Sequence, residues 1–227
     1  MDKKYTFEEL LEIVEKLRGE NGCPWDREQT HESIKYNLSE EGYELIEALE
    51  SGECDKMADE SGDLLLQVVF HAQIGKEKGE YDIDDVISAV CEKLIRRHPH
   101  VFGDVNVQDS DEVLRNWAKI KMQERGQSTL KQEFDSISKA LPSLMRAQKI
   151  QDKAEKNGYV FGGSLASAES IANMINILGE NNTPEVAEKY IGKMMFELTS
   201  IAKDFGVDAE TALSKHISSF VNEFTKH

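Results

Sequence analysis

Apolar side chains recur along most of this chain with the spacing of an amphipathic α-helix. The periodic segments open on capping residues, such as Thr6 with Glu9 three residues later, and close on glycine. No segment reads convincingly as a strand. The pattern predicts an all-α protein with loops at NGCPWD (21–26) and HPHVFGD (98–104). The predicted helices cover residues 6–19, 30–49, 55–78, 81–97, 110–124, 141–157, 164–178, 183–205 and 208–224.

The stretch RGQSTLKQEFDSIS, residues 125–138, is polar and looks like a linker. A chain of 227 residues is long enough for two small domains with separate cores. We therefore predict an N-terminal helical domain at residues 1–125, a linker at 126–140 and a C-terminal helical domain at 141–227.

The charge balance excludes some partners. Forty-three acidic against 27 basic residues give a formal net charge of −16, so we expect neither nucleic acid nor a membrane as a partner. The three cysteines lack the spacing of a zinc site or a disulfide framework, and no apolar run approaches the length of a membrane span. With no signal-peptide pattern at the N-terminus, these features predict a cytoplasmic protein.

A short quasi-repeat puts the same carboxylate pattern on two consecutive predicted helices. The repeated segments, which begin at residues 38 and 57, are LSEEGYEL and MADESGDL. At about 100° per residue, each helix carries an acid pair beside its buried apolar stripe. The pairs are Glu41 with Glu44 and Glu60 with Asp63. Because a short turn joins the helices, they are expected to pack antiparallel, so that the four carboxylates converge.

Converging acids beside a core repel one another, and their pKa values rise unless a cation neutralises them. Carboxylate ligation without His or Cys favours Mg²⁺ or Mn²⁺ over zinc. The alternative is that these acids are solvated residues flanking a core stripe, which is the usual meaning of a single ExxE motif. The pairing of two such motifs favours the metal site.

The motifs also resemble a known family. ExxE at residues 41–44, followed by ExxD at 60–63, is similar to the signature of the all-α nucleoside triphosphate pyrophosphohydrolases. Three blocks resemble the MazG family in particular: CPWDREQTHESIKYNLSEEGYEL (23–45), ESGDLLLQVVFHAQ (60–73) and KLIRRHPHVFGD (93–104). The resemblance covers about the first 125 residues and holds mainly in helix pattern beyond them.

The resemblance implies an enzyme that hydrolyses a nucleoside triphosphate to the monophosphate and pyrophosphate with Mg²⁺, or alternatively Mn²⁺. It also implies two MazG-like helical domains that form bundles completed by homodimerisation. Carried over residue by residue, Glu41, Glu44, Glu60 and Asp63 would bind the metal ion. Glu40 would be a further ligand, or it would hold and deprotonate the attacking water.

The resemblance also suggests substrate-binding residues. Arg96 and Arg97, in RRHPHVF, would bind triphosphate oxygens, although a basic pair at a helix C-terminus is often only favourable charge. Lys121, and less clearly Lys119, would contact phosphate. Trp25 would either stack on the nucleobase or anchor its loop in the core.

The acid motif is degenerate in the second half. The positions that match it hold Glu169, Ser170 and Asn173 on one predicted helix and Tyr190 and Lys193 on the next. We therefore expect catalysis to belong to the N-terminal domain, and the C-terminal domain to serve dimerisation, stability or regulation. Two alternatives remain for the whole chain. One is a narrower pyrophosphohydrolase acting on dUTP, a phosphoribosyl nucleotide or an alarmone, and the other is a non-catalytic nucleotide-binding regulator.

Overall fold

The computed structural model describes residues 3–124, 126, 129–180 and 183–226. These residues form thirteen α-helices and no strand, which confirms the all-α prediction. None of the described helices is both long enough and apolar enough to cross a bilayer. The helices are α1 (Phe7–Arg18), α2 (Pro24–Glu28), α3 (His31–Ile34), α4 (Asn37–Ser51), α5 (Cys54–Lys78), α6 (Ile83–Arg97), α7 (Pro99–Phe102), α8 (Ser110–Glu124), α9 (Leu130–Asp135), α10 (Ser143–Lys156), α11 (Gly163–Glu180), α12 (Pro184–Asp204) and α13 (Ala209–Phe224).

The chain divides into two compact units, Met1–Trp117 and Ala118–His227, and the division falls within α8. The segment expected to be a linker contains helix α9, whose Glu133 accepts a hydrogen bond from Asn157 Nδ2 at 3.3 Å. This contact ties α9 to the end of α10 inside the second unit. The domain boundary inferred from the sequence stays a prediction.

The core of the first unit lies where α1, α3 and α5 meet. Its buried side chains are Val14, Ile34, Val69, Phe70 and Ile74. Complete burial of an aliphatic or aromatic side chain of this size contributes about 1.5–3 kcal/mol. Most of the cluster comes from the C-terminal half of α5, so this half anchors the helix and its N-terminal half is free to carry polar side chains.

Arg18 links three elements of the first unit. Its guanidinium donates to both carboxylate oxygens of Glu77 on α5, at 2.9 and 2.7 Å, and its side chain is only 4% exposed. It also donates to the backbone carbonyls of Asp26 and Gln29, at the end of α2. The planar guanidinium fork suits such a bidentate contact, so Arg18 holds α2 against α1 and α5.

Three short helices correct the predicted boundaries. Loops were expected at residues 21–26 and 98–104, but Pro24 and Pro99 occupy the first position of α2 and α7. The fixed φ of proline fits a first helical turn, so these residues start helices rather than prevent them. The single helix expected at 30–49 is two helices: a capping box between Thr30 and Ser33 starts α3, and the helical structure is interrupted at Lys35 and Tyr36 before α4 begins.

Helices α4 and α5 form a hairpin. Gly52 ends α4 in the left-handed region at φ 74°, and α5 begins two residues later. The hairpin confirms the expected pairing of these two helices.

In the second unit, α11 and α12 form a similar hairpin, against which α10 packs. Gln151 of α10 is fully buried and donates to the backbone carbonyl of Phe196 at 2.7 Å.

Candidate metal centre

Three of the four predicted metal ligands converge on the α4–α5 hairpin. One carboxylate oxygen from each of Glu41, Glu60 and Asp63 lies within 4.8 Å of the other two. Glu41 belongs to α4, whereas Glu60 and Asp63 lie one turn apart near the start of α5. A single divalent cation can accept one oxygen from each of three carboxylates spaced in this way.

The electrostatics of Glu41 reflect this crowding. Its pKa is raised, first by loss of solvent around the carboxyl group and then by the negative charges of Asp63, Glu44, Glu40 and Glu60. Both causes disfavour the ionised form. A cation placed among these acids would reverse the shift.

Glu60 and Glu44 form the outer part of the same cluster. The pKa of Glu60 is raised, first by desolvation and then by the charges of Glu44, Asp59 and Asp63. Protonated Glu60 can also donate a hydrogen bond to Glu44, and this contact contributes to the increase. The structure therefore places the fourth predicted ligand beside Glu60, next to the group of three.

The donor set fits a hard divalent cation. Among the described residues, no Lys or Arg forms an ion pair with Glu41, Glu60 or Asp63, and every charge that shifts the pKa of Glu41 or Glu60 is another acid. Carboxylate oxygens are the ligands that Mg²⁺ and Mn²⁺ prefer. The cluster thus has an excess of negative charge and suitable donor atoms.

Gln67 supports the cluster and was not singled out from the sequence. Its buried side chain donates a long hydrogen bond, 3.5 Å, from Nε2 to Glu41 Oε1. Gln67 lies one turn beyond Asp63, so its amide reaches from α5 toward α4 on the same side of the helix. The signal in the sequence is an amide that interrupts the apolar run from Leu64 to Phe70.

Glu40 lies on α4 with an exposed side chain, close enough to raise the pKa of Glu41. This position agrees with either of its two predicted roles, metal ligand or water-positioning base. Both roles stay predictions.

The predicted substrate-binding residues lie on three helices. Trp25 projects from α2 with 61% of its surface exposed, so it is not a core anchor. Arg96 and Arg97 form the last turn of α6, and each has an interaction partner in the chain. Lys119 and Lys121 lie on the part of α8 that belongs to the second unit. Contact of these residues with substrate stays a prediction.

Comparison with known proteins decides the family. The sequence model of the MazG nucleotide pyrophosphohydrolase domain matches residues 29–102. The chain is also 43% identical over 220 residues to the nucleoside triphosphate pyrophosphohydrolase/pyrophosphatase MazG of Thermotoga maritima, with 97% of this chain and 84% of that protein covered. The chain belongs to the MazG family. The matched range contains the acidic cluster and both arginines of α6.

A second MazG relative is similar over nearly the same length. The nucleoside triphosphate pyrophosphohydrolase of Escherichia coli K12 is 39% identical over 224 residues, which cover 96% of this chain and 85% of that protein. Among solved structures, a mazG-related protein from Thermotoga maritima is 29% identical with a TM-score of 0.44, covering 50% of this chain and 97% of that one.

Proposed function

We propose that the chain hydrolyses nucleoside triphosphates to the monophosphate and pyrophosphate, with Mg²⁺ at the carboxylate cluster of its first unit. Membership of the MazG family makes the chain a hydrolase of phosphorus-containing anhydrides. One observation carries the location of the site: Glu41, Glu60 and Asp63 bring three carboxylate oxygens within 4.8 Å inside the matched domain.

Each residue of the cluster has a distinct task in this proposal. Glu41, Glu60 and Asp63 hold the cation, and the hydrogen bond from Gln67 helps to orient Glu41. When bound, the metal ion neutralises triphosphate charge and acidifies a water molecule. Glu40, next to Glu41 on α4, either accepts the proton of the attacking water or completes the metal coordination.

The substrate-binding part of the proposal concerns α6 and α2. Arg96 and Arg97 would bind triphosphate oxygens through their guanidinium groups. The exposed indole of Trp25 offers a face on which a nucleobase can stack.

The two hairpins differ in the side chains that metal binding requires. Ser170, Tyr190 and Lys193 stand in the second unit where the first has Glu41, Glu60 and Asp63. A hydroxyl, a phenol and an ammonium do not replace three carboxylates as Mg²⁺ ligands. Catalysis is therefore assigned to the first unit.

A panel of the eight common nucleoside triphosphates tests the activity. The full chain is incubated with each substrate in Mg²⁺ or in EDTA, and the products are separated. We expect monophosphate and pyrophosphate in Mg²⁺ and no turnover in EDTA. Turnover of several bases supports the broad substrate range, whereas turnover of dUTP alone, added to the panel as a further substrate, supports the narrower alternative. Release of diphosphate and orthophosphate, or no turnover of any substrate, would contradict the proposal.

We further propose a homodimer that covers the apolar face of α6. No residue of α6 is buried among those that the structure describes, although Ile87, Val90 and Leu94 form a helical stripe, each 41–46% exposed. An amphipathic helix is stable when such a stripe is covered. Light scattering after size exclusion should give twice the chain mass for the wild type and for the control Lys93→Glu, and a lower mass for Leu94→Glu. A monomeric wild type would refute the dimer.

A further inference from the structure

The second unit has a cavity at the position that corresponds to the metal cluster. When α11 and α12 are aligned with α4 and α5, Ser170, Tyr190 and Lys193 take the places of Glu41, Glu60 and Asp63. All three replacements line one cavity of about 560 Å³ between α11 and α12. The degenerate motif therefore lines an opening between its helices with a hydroxyl, a phenol and an ammonium in place of carboxylates.

The cavity walls carry two ammonium groups. Lys189 Nζ lies 5.5 Å from the centroid of the Tyr190 ring, and Lys193 Nζ lies 5.6 Å from the same centroid. Both lysines line the cavity. Among the described residues, neither forms an ion pair with a carboxylate. Each positive charge is thus available to a ligand while its position is restrained by the aromatic face.

The remaining walls are compatible with an anion. Glu197 is the one carboxylate among the described lining residues, and it accepts a hydrogen bond from the hydroxyl of the buried Ser167 at 2.6 Å. This bond ties Glu197 to α11 and disperses part of its charge. Phe196 adds an apolar surface to the lining. The volume exceeds that of one phosphate group and lies within the range of small-molecule sites.

From this geometry we propose that the α11–α12 cavity binds a phosphate-bearing anion without a metal ion. Lys189 and Lys193 bind the phosphate oxygens as point charges, and Ser170 supplies a hydroxyl donor. The two lysines take over the charge neutralisation that a divalent cation would provide in the first unit. The bound molecule is either a nucleoside phosphate, with its base against Tyr190 and Phe196, or a polyphosphate alone. The site is independent of the catalytic role proposed for the first unit.

Isothermal titration calorimetry of the full chain in EDTA tests this site. The probes are AMP and pyrophosphate, titrated separately at millimolar concentration. We expect at least one of them to bind the wild type, with a dissociation constant at least tenfold weaker in Lys193→Glu. AMP binding tighter than pyrophosphate assigns a nucleoside phosphate, and equal or tighter pyrophosphate binding assigns the polyphosphate.

Two further variants distinguish binding at this site from a nonspecific effect of net charge on anion binding. Lys156→Glu makes the same charge change at an exposed position on α10 and should bind as the wild type does. Lys193→Arg keeps the charge and should retain binding, and a wild-type unfolding curve for Lys193→Glu excludes loss of structure as the cause of weaker binding. Absence of saturable binding of both probes, or an equal affinity in Lys193→Glu, would overturn the proposal.

Discussion

At the scale of single residues, two histidines make an unusual contact in the first unit. Nδ1 of His31 lies 2.8 Å from Nδ1 of His71, and the two rings stack with their centroids 5.1 Å apart. One Nδ1 must donate to the other, so the pair cannot be fully protonated while this hydrogen bond exists. The ring of Tyr81 also stacks on the ring of His31, and a carboxylate oxygen of Glu80 lies 3.9 Å from His31 Nε2.

The histidine pair predicts how the stability of the folded chain depends on pH. Burial, and then the charge of His31, lower the pKa of His71 from its ordinary value of 6.5. As pH falls below about 6.5, the unfolded chain binds more protons than the folded chain, so the stability present above that pH is lost. Urea unfolding should show that His71→Gln loses less stability than the wild type between about pH 7.5 and about pH 5.5.

The matched control is His216→Gln, which changes an exposed histidine on α13 and should keep the wild-type pH dependence. The raised pKa values of Glu41 and Glu60 act in the opposite direction, but they are common to all three proteins and cancel in the comparison. An unchanged slope in His71→Gln would remove the histidine pair as the source.

The acid positions were predictable residue by residue because a helix has a fixed angular period. That period put Glu41, Glu60 and Asp63 beside the core stripe, and the structure brings those three together. The support from Gln67 was not predictable, since hydrogen bonding across two helices depends on their separation and rotation. The contact between Glu44 and Glu60 depends on rotamers in the same way.

At the scale of elements, the two halves of α5 have different roles, one in the acidic cluster and one in the core. Its first half carries Glu60 and Asp63, and its second half is buried against α1 and α3. Two glycines lie in these different environments. A Cβ at Gly62 would have nothing within 4 Å, whereas a Cβ at Gly75 would lie 2.7 Å from the carbonyl oxygen of Tyr81.

Because these environments differ, alanine at the two positions should change the free energy of unfolding in opposite directions. Gly62→Ala should stabilise the protein by about 0.5–1 kcal/mol, because alanine restricts the unfolded chain and favours helix at no steric cost. Gly75→Ala should destabilise it by about 1–3 kcal/mol, because the added methyl forces Tyr81 away from the helix. Chemical denaturation measures both. Stabilisation by Gly75→Ala would mean that the α5–α6 turn does not pack as described.

The long helices were predictable from periodicity and caps, as α5, α8 and α12 show. The short helices α2 and α7 were not, because four or five residues carry too little periodicity to separate a helix from a loop. The break between α3 and α4 falls at Lys35 and Tyr36, and Tyr36 makes no side-chain capping hydrogen bond. Without a capping signal there, the apolar pattern predicts one continuous helix.

At the scale of the whole molecule, two similar hairpins have different side chains at corresponding positions. The first unit places three carboxylates together, and the second places Ser170, Tyr190 and Lys193 around a cavity. The sequence alone predicted that only the first hairpin binds a metal ion, because residue type determines which ligand each hairpin can hold. It could not show that the second hairpin keeps a cavity, since that depends on how closely α11 and α12 pack.

In the proposed function, the acidic cluster of the first unit is the catalytic centre. The most direct measurement is the rate of pyrophosphate release at saturating Mg²⁺ and nucleoside triphosphate, compared between Glu60→Gln and Glu169→Gln. Both variants remove one carboxylate charge, but Glu169 is an exposed acid of the degenerate motif.

Glu60→Gln should lower the rate by about 100-fold or more, equivalent to about 3 kcal/mol of transition-state stabilisation, because it removes a metal ligand. Glu169→Gln should keep the wild-type rate. A wild-type rate in Glu60→Gln, or loss of activity in Glu169→Gln alone, would contradict the assignment.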